Sequence, residues 1–229
     1  MKRFFKSWSH SAISLYESCA FKYFKLKVEK SVKDEFSEAA MEGIRNHEAL
    51  DRRMKTGAML PDKLKHLEAI CRSIEQRPGE MKSESQYCLD KNFQPCGFKD
   101  WTNGWLRGVI DVLKINGDKA WVGDWKSGKV KDDFDQLKLF AILVFHHYPE
   151  VNYVMGNYIW FNHNMITPED PASAIFRRVD LPSLWQEQIN RLRPVINSFT
   201  NDVWIGKTSG LCKNYCPVSK AGACPYYTK

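Results

Sequence analysis

Apolar side chains recur at helical spacing between residues 9 and 30, at Ile13, Tyr16, Ala20, Tyr23 and Leu26, with Ser9 or Ser11 placed to cap the start. A second periodic stretch, about 36–55, puts Ala40, Ile44, His47, Leu50 and Met54 on one inward stripe. A third runs from Asp62 to about Ile74 and stops near Pro78-Gly79. The period then shortens to two. Ser83–Leu89 reads as a strand, and 104–115 and 119–126 as two more around Asn116-Gly117-Asp118. A helix over about 133–147 buries Leu137, Phe140, Ala141, Val144, Phe145 and Tyr148. Residues 151–161 form an apolar, aromatic strand and Ile175–Val179 a short one. A last helix, from about Pro182 to Asn201, leads into a Cys-rich tail. This order predicts an α/β fold with a small mixed central sheet flanked by helices. A single domain is expected over 1–229: a helical region at 1–80, a sheet core at 81–180, and a C-terminal helix and Cys tail at 181–229.

Composition excludes several classes. Hydrophobic residues make up 43% of the chain, too many for overall disorder. The longest unbroken apolar run, Leu139–Phe145, falls far short of the roughly 20 residues that span a bilayer. The N-terminus, MKRFFKSWSHS, is basic but runs straight into polar residues, so no signal peptide is expected. A cytoplasmic protein of a bacterium, an archaeon or a phage-infected host follows, with its seven Cys as thiols or metal ligands rather than disulfides. The formal charge is +7, and its distribution says more than its total. Residues 1–33 carry a net +6 and residues 201–229 a net +3, around a mildly acidic middle. Such ends suit a polyanion, and equally suit solvated lysines.

The acidic middle holds the most informative stretch, Gly108-Val-Ile-Asp111 followed by Gly123-Asp124-Trp125-Lys126. Asp124 and Lys126 share a strand face. If Asn116-Gly117 is a two-residue turn, Asp111 pairs with Val122; if the loop is 116–119, Asp111 pairs with Asp124. Either register puts Asp111, Asp124 and Lys126 on one face; a one-residue bulge would not. An isolated D-x-K is commonly a surface ion pair. Facing carboxylates, however, repel unless a cation sits between them, and hard oxygen ligands suit Mg²⁺ or Mn²⁺. Glu84, on the preceding strand, is a further acidic candidate but reads more simply as a solvated edge residue. His47 taken alone fits a core histidine, with Gly43 one turn earlier leaving room for close approach.

G-V-I-D, D-W-K-S-G-K and Gln136-Leu-Lys-Leu-Phe140 together resemble the RecB-like branch of the PD-(D/E)XK nuclease superfamily, with its restriction-endonuclease-like core. Gly43-Ile-Arg-Asn-His47, Leu15-Tyr-Glu-Ser-Cys19 and the group Cys212, Cys216, Cys224 extend the likeness to the iron–sulfur exonucleases of the CRISPR-associated and AddB type, over about residues 9–226. The resemblance implies a metal held by His47, Asp111, Asp124 and the Trp125 carbonyl. It implies that Lys126 positions water, and that Gln136 holds the site or the strand. Phe140 stands where the family has Tyr, so that hydroxyl is missing. The implied activity is a metal-dependent deoxyribonuclease, most simply a single-stranded DNA exonuclease; the alternatives are a structure-specific endonuclease and a catalytically silent DNA-binding or partner protein.

By the same resemblance Cys19, Cys212, Cys216 and Cys224 would clasp a [4Fe–4S] cluster. Zinc is the chemical rival, and idle thiols the third alternative. Were Cys19 to join the tail, the two basic ends would form one patch for a phosphate backbone. Cys71, Cys88 and Cys96 read as structural. Gly123 to Val130 also fits the G-x-x-x-x-G-K of a phosphate loop, but Val130 replaces the hydroxyl residue that would hold Mg²⁺, and Asp124 would repel the phosphates.

Overall fold

Ser9 accepts a hydrogen bond from the Ala12 N–H at 3.3 Å and so starts helix α1, His10–Ser18. The computed structural model describes residues 5–34, 37–130 and 133–227. The first four residues of the basic N-terminal segment and Phe36, at the expected start of the second helix, lie outside these. The chain divides into two compact units, residues 1–37 with 186–229, and residues 38–185.

In the first unit the expected continuous helix over 9–30 is interrupted. Cys19 takes an extended conformation (φ −170°, ψ 111°), closes α1, and caps α2, Ala20–Tyr23, which passes into a π-helical turn at Phe24–Val28. The thiol itself is the capping group, accepting from the Lys22 N–H at 3.4 Å, and this is why the helix breaks there rather than at a Gly or Pro. The unit is held by aromatic packing. Trp204 stacks on Tyr23 and on Phe24 and meets Phe199 edge-on at 5.0 Å. Tyr16 adds hydrogen bonds to the Pro194 carbonyl (2.9 Å) and Ser198 Oγ (2.7 Å).

The second unit begins with α3, Glu38–Thr56, and α4, Glu68–Glu75, the latter preceded by a 3₁₀ stretch at Asp62–Leu67 where one helix was expected. Arg53, buried on α3, reaches Glu68 at 2.7 Å and Glu75 at 2.6 Å and ties the two helices together. Three strands follow, β1 Glu80–Leu89, β2 Leu106–Asn116 and β3 Lys119–Lys126, all antiparallel. Helix α5, Asp135–His147, carries the chain to β4, Tyr153–Trp160, which pairs with β3 in parallel. Two short strands complete the sheet on β4: β5, Met165–Thr167, which the pattern does not predict, and β6, Ile175–Arg177. The result is a mixed sheet in the order β1-β2-β3-β4-β5. Helix α6, Leu181–Asn201, and two single turns, α7 Leu211–Asn214 and α8 Pro217–Lys220, end the chain.

Leu50, Met54, Leu67, Cys71 and Ile74 from the α3–α4 layer pack with Val112, Trp121, Trp125 and Ile159 of the sheet. Helix α5 covers the sheet so closely that a Cβ at Gly108 would stand 2.5 Å from Leu143 Cδ1. Not all of the expected α3 stripe is core: Ile44 is 40% exposed, while Asn46 and Ala49 are buried. Among the described residues no helix is long and apolar enough to cross a membrane. Leu50 is fully buried in the cluster, so Leu50→Ala should cost about 2–5 kcal/mol in urea unfolding. A loss within about 0.5 kcal/mol, usual for surface positions, would contradict this packing.

Candidate active site

The β2–β3 ladder runs without a bulge from Asn116↔Lys119 to Val112↔Gly123 and ends there. A Gly117-Asp118 turn, with Gly117 at φ 58°, sets this register, which is the one that aligns Asp111 with Asp124. Beyond the last pair Asp111 Oδ2 accepts the Trp125 N–H at 2.7 Å, so a side chain continues the hairpin where the backbone ladder ends.

Both carboxylates are removed from water, Asp111 being 8% and Asp124 3% exposed. Burial, reinforced by Asp124 and opposed by the Trp125 N–H, holds the Asp111 carboxyl well above the usual carboxylate range. Burial also raises Asp124, against the opposing pull of Lys126. Lys126 forms an ion pair with Asp124 Oδ2 and donates to Gln136 Oε1 at 2.7 Å, while Gln136 Nε2 donates to Asp124 Oδ1 at 3.1 Å. Gln136 sits in the first turn of α5, so that helix locks the lysine and the aspartate together. From α3, His47 Nδ1 comes within 3.5 Å of Asp111 Oδ2. Burial lowers the His47 pKa, which favours the neutral imidazole that metals bind.

Glu84 is no solvated edge residue. The β1–β2 ladder passes from Ser83↔Val112 to Ser85↔Ile110, skipping Glu84 opposite Asp111, and Glu84 takes φ 48°. Ligand atoms of His47, Glu84 and Asp111 lie within 4.8 Å of one another. Burial raises the Glu84 pKa, and Asp51 adds to the shift. Asp51, one turn beyond His47 on α3, accepts from Ser83 Oγ at 2.6 Å and lines the same cavity of about 670 Å³ with Ile44, His47, Glu84 and Asp111. Sequence reading gave Glu84 only as a lesser acidic candidate and missed Asp51. The polar run Ser83-Glu84-Ser85 inside a strand, and the spacing of four from His47 to Asp51, are the signals that could have found them. At Gly43 a Cβ would meet only Ser127 Oγ, at 3.6 Å, so that glycine is not demanded by packing.

Four carboxylates thus converge on one cleft. Lys126 pairs with Asp124 Oδ2 and Lys55 with Asp51, which leaves Asp111 and Glu84 without a lysine partner among the described residues. Such a donor set, hard oxygens with one imidazole, fits a divalent cation. Phe140 is buried near Gly108, where a tyrosine hydroxyl would otherwise stand. The described residues of 124–130 open no helix, so the glycine-lysine run is not a phosphate loop.

In the other unit Cys19, Cys212, Cys216 and Cys224 all line one cavity of about 150 Å³. Backbone N–H groups point at two of the sulfurs, from Lys207 to Cys19 at 3.3 Å and from Ser209 to Cys212 at 3.3 Å. Cys71 and Cys88 are buried elsewhere, their thiols pushed up by burial to about 11 and about 12.

The sequence matches the family model of the PD-(D/E)XK nuclease superfamily over residues 7–225, and the chain belongs to that superfamily. Its fold is similar to the crystal structure of a candidate exonuclease from Eubacterium rectale, with a TM-score of 0.51 and 13% identity over 92% of this chain and 88% of that one. A second solved structure, SSO0001, aligns with 98% of this chain and 88% of its own at 14% identity and a TM-score of 0.41. No curated protein matches the sequence.

The raised carboxyls have a consequence for stability. A carboxyl whose folded pKa exceeds its unfolded value contributes stability below about pH 4 and loses it as pH rises through the folded value. Metal-free protein should therefore melt at lower temperature as pH rises from about 4 to 7. Asp111→Asn, which removes one of these charges, should flatten that fall and raise the melting temperature at pH 7. An unchanged profile in the variant would show that Asp111 is not the buried, charge-crowded group described.

Proposed function

We propose that this protein is a divalent-metal-dependent deoxyribonuclease of the RecB-like type, acting as an exonuclease on single-stranded DNA. The observation that carries the reading is the buried Asp111–Asp124 pair with Lys126 clamped beside it by Gln136. A protein that only bound DNA would gain nothing from buried carboxylates that repel phosphate.

His47, Asp111 and Asp124, with the Trp125 carbonyl and with Glu84 as a further donor, are the groups that would hold Mg²⁺ or Mn²⁺. When bound, such an ion lowers the pKa of water and offsets negative charge on the phosphate. The remaining work falls to the chain. Lys126, fixed between Asp124 and Gln136, orients the attacking water and neutralises charge that develops as the phosphorus is attacked in line. Gln136 holds the ammonium in place when the carboxylate charge is shared with a cation. The strand is drawn by the basic segments 1–33 and 201–229, which belong to the same compact unit.

We further read Cys19, Cys212, Cys216 and Cys224 as ligands of a [4Fe–4S] cluster. Four thiols around one cavity and backbone donors on the sulfurs support this. Zinc is the chemical rival for the same four thiols.

Asp124→Ala should abolish Mg²⁺-dependent cleavage of end-labelled single-stranded DNA while leaving DNA binding in place. Lys126→Ala should lose several orders of magnitude in rate with little change in metal affinity. Full activity in either purified variant would overturn the site, and products cut internally rather than from an end would replace exonuclease by endonuclease. For the thiols, protein purified without oxygen should be brown and hold about four irons per chain. Cys19→Ala should then destabilise the chain by unlinking α1 from the tail. Colourless protein with one zinc would reverse the assignment.

A further inference from the structure

A second cavity, of about 660 Å³, lies at the turn end of the β2–β3 hairpin and shares no lining residue with the carboxylate cleft. Its polar lining is cationic, with Arg77, Lys114 and Lys119 against the single carboxylate of Asp118. Its other walls are Trp121, Tyr153 and Met155. The volume is that of a small-molecule site.

Lys114 is the informative residue. It is 6% exposed, and among the described residues its Nζ has one hydrogen-bond acceptor, the Glu75 carbonyl at 3.1 Å. The Glu75 carboxylate is engaged by Arg53 at 2.6 Å. Because Lys114 lines the cavity, its two remaining N–H groups are open to water or to an acceptor bound there. Arg77 lies 4.5 Å over the Trp121 ring, and its guanidinium has no hydrogen-bond acceptor among the described residues. Tyr153 is 44% exposed and makes no ring contact among those residues. The site therefore offers unmatched donors beside a free aromatic face.

Three cations and one carboxylate leave a net charge of about +2, which matches a phosphate monoester at neutral pH; a phosphodiester would supply half of that. The apolar and aromatic walls suit a planar base. We propose that this cavity binds a nucleoside monophosphate, its phosphate on Arg77, Lys114 and Lys119 and its base against Tyr153 and Trp121. The ligand has the chemistry of a product of phosphodiester hydrolysis, but the site uses none of the residues of the carboxylate cleft and stands or falls apart from it.

Calorimetric titration of the full chain, without added divalent metal, tests this with a deoxynucleoside 5′-monophosphate, inorganic phosphate, the nucleoside, and a short oligonucleotide lacking terminal phosphates. The monophosphate should bind equally to the parent and to Asp124→Ala. Phosphate and nucleoside should each bind about tenfold or more weakly, since each supplies half of the contacts. Lys114→Met, which keeps the volume and removes the charge, should weaken the monophosphate about tenfold. Lys119→Ala, at an exposed position, should weaken it several-fold. Equal binding of inorganic phosphate, tighter binding of the oligonucleotide, loss of binding in Asp124→Ala, or unchanged binding in both lysine variants would each overturn the proposal.

Discussion

Two carboxyl groups, Asp111 and Asp124, are buried where β2 and β3 stop pairing, and the surrounding structure is arranged to hold them there. Removing like charges from water raises both pKa values and disfavours the ionised pair. The fold tolerates this because rigid elements meet at the fork. The hairpin register places Asp111 against the Trp125 N–H. Helix α5 brings Gln136 to Lys126 and Asp124, and α3 brings His47 and Asp51. The two helical layers are packed on the sheet through fully buried leucines, isoleucines and aromatic rings, so the polar groups inherit their positions from the core.

Glu84 shows how local backbone geometry serves the same cleft. An L-residue at φ 48° within a strand is disfavoured, and the ladder skips it. In return its carboxylate joins His47 and Asp111 within 4.8 Å. The register is the same on both sides of the gap, so Glu84 stands directly opposite Asp111 and the two carboxylates share a sheet face. The cost is carried by the nine ladder pairs on either side of the break.

Cys19 plays a comparable part in the other unit. It ends one helix, caps the next, receives the Lys207 N–H, and lines a cavity with three thiols almost two hundred residues away in sequence. Both basic segments of the sequence belong to this unit.

Periodicity alone was enough for most elements. The alternation in 104–126 established the hairpin and the shared face of Asp111, Asp124 and Lys126, because side-chain direction along a strand follows from a local rule. The ordered motifs from Cys19 to Cys224 were sufficient to indicate the superfamily that the matched residues 7–225 establish. Three things were beyond the sequence. The choice between the two hairpin registers, an Asn116-Gly117 turn or a loop over 116–119, depended on a few backbone angles, and the turn closes at Gly117-Asp118 in the second register. The inclusion of Glu84 and Asp51 depended on where a ladder breaks and on which turn of α3 faces the cleft, and Ile44, expected in the core, lines that cleft instead. The unmatched donors of Lys114 and Arg77 became visible only once the sheet and α4 had defined a cavity around them. Each is a relation between groups distant in the chain, and local spacing carries no information about whether a partner is present.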